Sequence, residues 1–293
     1  MGHKQEGITV IGQSYLDSLI FYHLKESYEV YKGKDFTKKQ FQVSINENKH
    51  ATAGIVLLAI GIESYRNLLF YGEKEKINRN SVGNDIAKII NIKDKSVPID
   101  FIKNALIEIF IIRDIIVHSH VYKVNIEFDD HWNLKAQRHI FLKDQYGDKK
   151  LGIYSNSRTK KTDLLKLNIQ PIRIGFEDYF RILIILDLLI GIIDKYWSKN
   201  IIGYHPLFQI DGYWFPNLSE LYSFFYDKIP SNLFKNKFRA FLSNVRNQYL
   251  PLLTSSDSFL TNICPSCKEF GFIKLNNVHN CRKCGCKIEL TDQ

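Results

Sequence analysis

Residues 98–122 read PIDFIKNALIEIFIIRDIIVHSHVY. Proline at the head of this stretch suits the first turn of a helix, where its missing N–H is an orphan anyway. Phe101, Leu106, Ile109, Phe110, Ile112, Ile115, Ile116 and Val117 then cover most of a helical circumference. A helix that is apolar nearly all round belongs inside a larger bundle. Into it the sequence sets Glu108, Arg113, Asp114, His118 and His120. Charged groups of this kind are seldom buried unless paired. They must therefore pair with one another or face a cleft, and such a conflict of patterns is where a functional site is expected.

The spacing gives the cluster a geometry. Arg113 and His118 are five residues apart and point about 140° from each other around the axis. Asp114 and His118 are four apart and share a face, so Asp114 can orient His118. Two readings follow from spacing alone: a buried Asp–His–Arg network that fixes helix packing, or a catalytic group at a cleft. Two further residues, Glu63 and Arg66, sit three apart in the apolar stretch 50–71. Glu63 can pair with Arg113 and line the cleft, or it can pair locally with Arg66.

The run Arg113-Asp114-Ile115-Ile116-Val117-His118 resembles the signature of the HEPN superfamily, an Arg followed after four to six residues by His. The resemblance spans about residues 8–198 and rests on this one helix. It implies an antiparallel helical bundle in which two copies dimerise with their motifs facing one cleft. It also implies a metal-independent ribonuclease in which His118 and Arg113 act on RNA and Asp114 supports them. His120 and Tyr122, at the end of the motif helix, become candidate substrate contacts. Some toxin members carry Tyr two residues after the motif His; here that position is His120.

The rest of the chain fits around this helix. Residues 13–32 carry apolar residues at helical spacing and read as an amphipathic helix closed by Gly33. Residues 34–48 read as a polar connection, 50–71 as a strongly apolar helix, and 85–92 as a short helix. Residues 123–130 and 138–144 alternate apolar and polar, the strand period, and are expected to form a hairpin inserted between helices. Residues 149–166 are polar and basic. Their Lys160 and Lys161 are candidate phosphate-backbone contacts, the alternative being a solvated loop. Residues 176–197 form another helix that is apolar nearly all round and is expected to complete the bundle.

The last 35 residues differ in kind. Cys264, Cys267, Cys281 and Cys284 form two Cys-x-x-Cys pairs with thirteen residues between them. Four thiolates in that arrangement suit a tetrahedral Zn²⁺ in a small zinc ribbon. Strands are expected at 270–275 and 287–290. Cys286 is a fifth thiol and His279 a weaker candidate ligand. A module this small draws its folding energy from the metal.

The expected fold class is therefore mainly α: an antiparallel HEPN-like helical bundle with an inserted β-hairpin, plus a C-terminal zinc ribbon. Expected boundaries are 1–198 for the bundle (with 123–173 the hairpin and basic loop), 199–258 for a helical extension, and 259–293 for the ribbon. The chain of 293 residues carries a formal charge of +9, which favours polyanionic partners. Its five cysteines cluster as a metal site and not as a disulfide framework, pointing to a reducing, cytoplasmic location. The longest apolar run, 182–193, is too short to span a bilayer, so no membrane association is expected. The functional expectation is an endoribonuclease that leaves 2′,3′-cyclic phosphate and 5′-OH ends. It would serve as a toxin or anti-phage effector, with RNA as substrate, a homodimer as the working form and an antitoxin or activator as a further partner. The competing expectation is a non-catalytic RNA- or nucleotide-binding or scaffold protein that uses its ribbon for recognition.

Overall fold

The structure, a computed structural model, describes residues 13–35, 42–73, 81–118, 122–141, 149–156, 158–197, 208–210, 213–215, 225, 240–243, 245, 272–275, 278–281 and 287–289. It is mainly helical. Helices α1 (Gln13–Lys32) and α2 (Ile45–Gly72) pack as an antiparallel pair. Contacts of His23 with His50 and of Lys34 with Glu47 fix their register. Helices α3 (Val82–Lys93) and α4 (Ile99–His118) form a second hairpin. There Gly83 lets the two backbones approach: an added Cβ would lie 2.7 Å from the Lys103 carbonyl oxygen.

Helix α6 (Phe176–Trp197) packs against α1, α2 and α4 and is buried along almost all its length. This is what a helix apolar on every face requires. Its N-terminus is tied down by buried acids. Glu47 accepts from the Phe176 N–H (3.0 Å), and Asp178 accepts from the N–H groups of Asn168 (2.8 Å) and Gly175 (3.0 Å). Acidic groups there also suit the positive end of the helix dipole. Asn48 donates to the carbonyls of Pro171 and Ile174, fastening the turn Pro171–Arg173 that precedes α6. Phe225, Leu242 and Val245, from the stretch expected as a helical extension, lie in the same core. The Phe225 ring packs 4.9 Å from that of Tyr28.

Three boundaries differ from the sequence reading. Helix α2 begins at Ile45 and not near His50, because Ser44 caps it: its hydroxyl accepts from the Glu47 N–H (3.2 Å). The motif helix ends at His118, and Tyr122 already opens strand β1 (Tyr122–Phe128), paired antiparallel with β2 (Leu134–Phe141). The basic stretch expected as a loop has structure of its own. It contains helix α5 (Lys149–Tyr154) and a minimal hairpin of β3 (Ser155–Asn156) and β4 (Lys161–Thr162).

Strand β1 falls where the period-two pattern placed it, whereas β2 begins at Leu134, four residues before the stretch 138–144 expected as the second strand. The turn between them is held by Asp129, whose Oδ1 accepts from the N–H groups of His131 and Asn133. A short pair, β5 (Phe208–Ile210) with β6 (Tyr213–Phe215), follows α6. Strands β7 (Phe272–Leu275), β8 (Val278–Cys281) and β9 (Lys287–Glu289) form a three-stranded antiparallel sheet near the C-terminus. Strand β8 has no counterpart in the sequence reading. No described helix is long and apolar enough to cross a membrane.

Candidate functional site

One face of helix α4 is buried from Ile102 to Ile115, and the helix emerges from the core towards its C-terminal end. Its three motif side chains sit on that emerging end. His118 is exposed, and the side chains of Arg113 and Asp114 are 32% and 44% exposed. They therefore do not form a buried network that fixes helix packing. Arg113 Nε lies 3.1 Å from Asp114 Oδ1, and the guanidinium carbon sits 5.2 Å from the centre of the Phe110 ring. The aromatic face restrains the guanidinium without consuming its donors. Among the described residues Arg113 Nε, though shielded from water, has no hydrogen-bond partner. Asp114 and His118 also make other contacts. The arrangement is a partly exposed cation paired with Asp114, carried on the same helix end as an exposed imidazole. It can engage a phosphate and move a proton.

Glu63 pairs with Arg66 (3.4 Å), the local alternative that their spacing allowed. Arg66 is buried and also meets Asp85 (3.3 Å) and Asn67 (2.9 Å), so this cluster joins α2 to α3. Glu108, a further charge of the motif helix, is fully buried. Its two oxygens accept separately from the N–H groups of Leu164 (2.6 Å) and Leu165 (2.7 Å). Burial pushes its carboxyl above the usual range, against the opposing effect of these N–H groups and of the Thr162 hydroxyl. Glu108 is thus an anchor for the basic stretch.

Lys160 and Lys161 lie in that anchored stretch, both partly exposed. Lys160 and Lys166 adopt left-handed backbone angles, φ 56° and 57°. Such a conformation costs an L-residue with a Cβ about 1–2 kcal/mol. Tyr122 opens β1, opposite Phe141. His120 lies outside the described residues, as do Cys264, Cys267, Cys284 and Cys286. Cys281 closes β8, so the second Cys-x-x-Cys pair spans the β8–β9 connection and the first precedes β7. His279 lies within β8, opposite Lys274. Knuckles at the ends of antiparallel strands are where zinc-ribbon ligands sit, and the donor set fits Zn²⁺. Among the described residues, no group of three or more His, Cys, Asp or Glu could hold a metal ion.

The sequence reading passed over one pair altogether. His23 Nδ1 and His50 Nδ1 approach to 3.1 Å across the α1–α2 seam, with the ring of Tyr22 edge-on to both. Desolvation lowers the pKa of both imidazoles. His50 further lowers that of His23, Lys49 further lowers that of His50, and Glu26 opposes both shifts. The two residues are 27 positions apart and neither belongs to a motif, so only the register of α1 on α2 brings them together. Asp178 and Arg181 were missed as well, although charges inside an otherwise apolar stretch are a readable signal.

Comparison with known proteins found no matching family model, no matching curated protein and no matching solved structure.

Proposed function

We propose that this chain is a metal-independent endoribonuclease that cleaves RNA to 2′,3′-cyclic phosphate and 5′-OH ends, acting as a toxin or anti-phage effector. The observation that carries the reading is the emergence of Arg113 and His118 from the core on one helix end. The guanidinium is partly exposed and restrained by Asp114 and the Phe110 ring, and the imidazole is reachable by a substrate. In the proposed reaction the RNA 2′-OH attacks the adjacent phosphorus and the P–O5′ bond breaks. A base takes the 2′ proton and an acid returns one to the 5′ oxygen. His118 fills one of these roles, and its counterpart on a second protomer fills the other. Arg113 grips the phosphate and stabilises the charge that develops on it. Asp114 holds the guanidinium in place. The working form is a homodimer with paired motifs, held silent or released by an antitoxin or activator, in the cytoplasm. The bundle is a HEPN-like one.

The test is purified protein incubated with cellular RNA in a chelator, with the new ends mapped. Wild type is expected to leave cyclic-phosphate ends, and His118→Ala to lose roughly 10²–10⁴-fold in rate. Because His118 is exposed, its loss is expected to change stability by no more than about 0.5 kcal/mol. Equal cleavage by both proteins would sink the assignment.

The C-terminal sheet is proposed to hold one structural Zn²⁺ through Cys264, Cys267, Cys281 and Cys284. Elemental analysis is expected to find about one zinc per chain, and none after Cys281→Ser. Zinc retained in that variant would remove Cys281 from the ligand set.

A further inference from the structure

Residues 156–168 carry Arg158, Lys160, Lys161 and Lys166 against one acid, Asp163. Arg158 and Lys166 are exposed, and Lys160 and Lys161 partly so. A basic loop of this kind is ordinarily a solvated connection with no fixed shape. This one is held from below by buried charged groups on two helices. Glu108 of α4 accepts from the N–H groups of Leu164 and Leu165. Arg181 of α6 donates to the Leu165 carbonyl (3.2 Å), and Asp178 accepts from Asn168. Within the loop, Asn156 Oδ1 accepts from the N–H groups of Arg158 and Thr159. Thr162 and Leu167 exchange two hydrogen bonds.

The left-handed angles at Lys160 and Lys166 persist only because this frame over-determines them. Two lysines thus hold a strained backbone at the rim of a loop in which Leu165 and Leu167 are fully buried and Leu164 is partly buried. The anchor at Glu108 also lies on the motif helix, about 7.5 Å along the axis from Arg113.

We infer that residues 156–168 form a preorganised cationic platform that grips the phosphate backbone of RNA beside the motif helix. The inference rests on the ribonuclease reading for the identity of the polyanion, and on the loop itself for the binding. Phosphate contacts position a strand without reading its sequence, so the platform holds RNA of any sequence. A fixed array of cations loses less freedom on binding than a mobile one, which accounts for the buried anchors.

The test is a titration of full-length protein into a fluorescent single-stranded RNA of about 20 nucleotides, repeated over a salt series. The Lys160→Glu/Lys161→Glu/Lys166→Glu variant is compared with Lys49→Glu/Lys95→Glu/Lys135→Glu, which makes the same change in net charge at exposed positions elsewhere. The platform variant is expected to lose at least roughly tenfold in affinity, with the slope of log K against log salt falling by about 2. The control is expected to lose less than about threefold. Equal losses in the two variants, or no measurable binding by wild type, would overturn the inference. Selective loss of binding in the platform variant would support the platform whether or not wild type cleaves the RNA, and the ribonuclease reading stands or falls on the end-mapping test.

Discussion

Glu108 shows how a single side chain on the motif helix acquires a role that its neighbours do not share. Each of its oxygens serves one backbone donor, Leu164 N–H or Leu165 N–H. An amide in its place has one acceptor only, and its NH₂ would face an N–H group. Glu108→Gln is therefore expected to leave a buried donor unsatisfied and to destabilise the protein by about 1–3 kcal/mol. The urea midpoint would fall at an unchanged m-value. An unchanged midpoint would mean that the loop draws nothing from Glu108. At this scale the sequence is partly readable. Charges inside an apolar helix announce that they need partners, as Glu108, Arg113 and Asp114 did. Which partners they take is not announced: Leu164 and Leu165 lie more than 50 residues away, and nothing in their own sequence marks them as donors.

At the scale of the element, α2 offers two glycines with opposite consequences. Gly54 is buried against Tyr179, and a Cβ there would fall 2.3 Å from the ring. The ring has no room to yield. It is fully buried, and its hydroxyl donates to the Ile20 carbonyl of α1 (2.6 Å). Gly61 has nothing within 4 Å of the same added atom. Alanine gains about 1 kcal/mol over glycine in a helix interior. Gly61→Ala is thus expected to stabilise by about 0.5–1 kcal/mol. Gly54→Ala is expected to destabilise, because overpacking costs about 1–3 kcal/mol and outweighs the propensity gain. Chemical unfolding of the two variants checks both signs, and stabilisation by both would refute the close packing of α2 on α6.

The sequence of α2 offers several small residues where a neighbour could approach closely, but does not say which of them is used. Helix ends followed the same logic. The limits of α1 and α6 match their sequence pattern because each apolar pattern runs unbroken over the whole stretch. The start of α2 was missed because its first turn is polar and only the Ser44 cap marks it. The end of α4 was placed too late because Val121 and Tyr122 continue the helical period, whereas Tyr122 is taken by strand β1.

At the scale of the whole molecule, the seam between α1 and α2 should make stability depend on pH. One imidazole of the His23–His50 pair donates and the other accepts, so the contact needs at least one neutral ring. Desolvation, helped by the facing imidazole and by Lys49 and opposed by Glu26, lowers both folded-state pKa values. In the unfolded chain both titrate near the ordinary value of about 6.5. Between the folded and unfolded values the unfolded chain binds more protons, so stability rises with pH there. The contribution is fully present above about pH 6.5 and is lost as pH falls below it. Buried Glu47, Glu108 and Asp178 act in the opposite sense, because their folded-state values are raised; their contribution is lost as pH rises above the ordinary carboxylate range. A wild-type profile alone would mix these effects, and a variant is needed to separate them. His23→Gln keeps a hydrogen-bonding group beside His50 but removes one titration. Its urea midpoint is expected to fall less than that of wild type between about pH 7.5 and pH 5.5. Parallel profiles for the two proteins would show that the histidine pair carries none of the acid sensitivity.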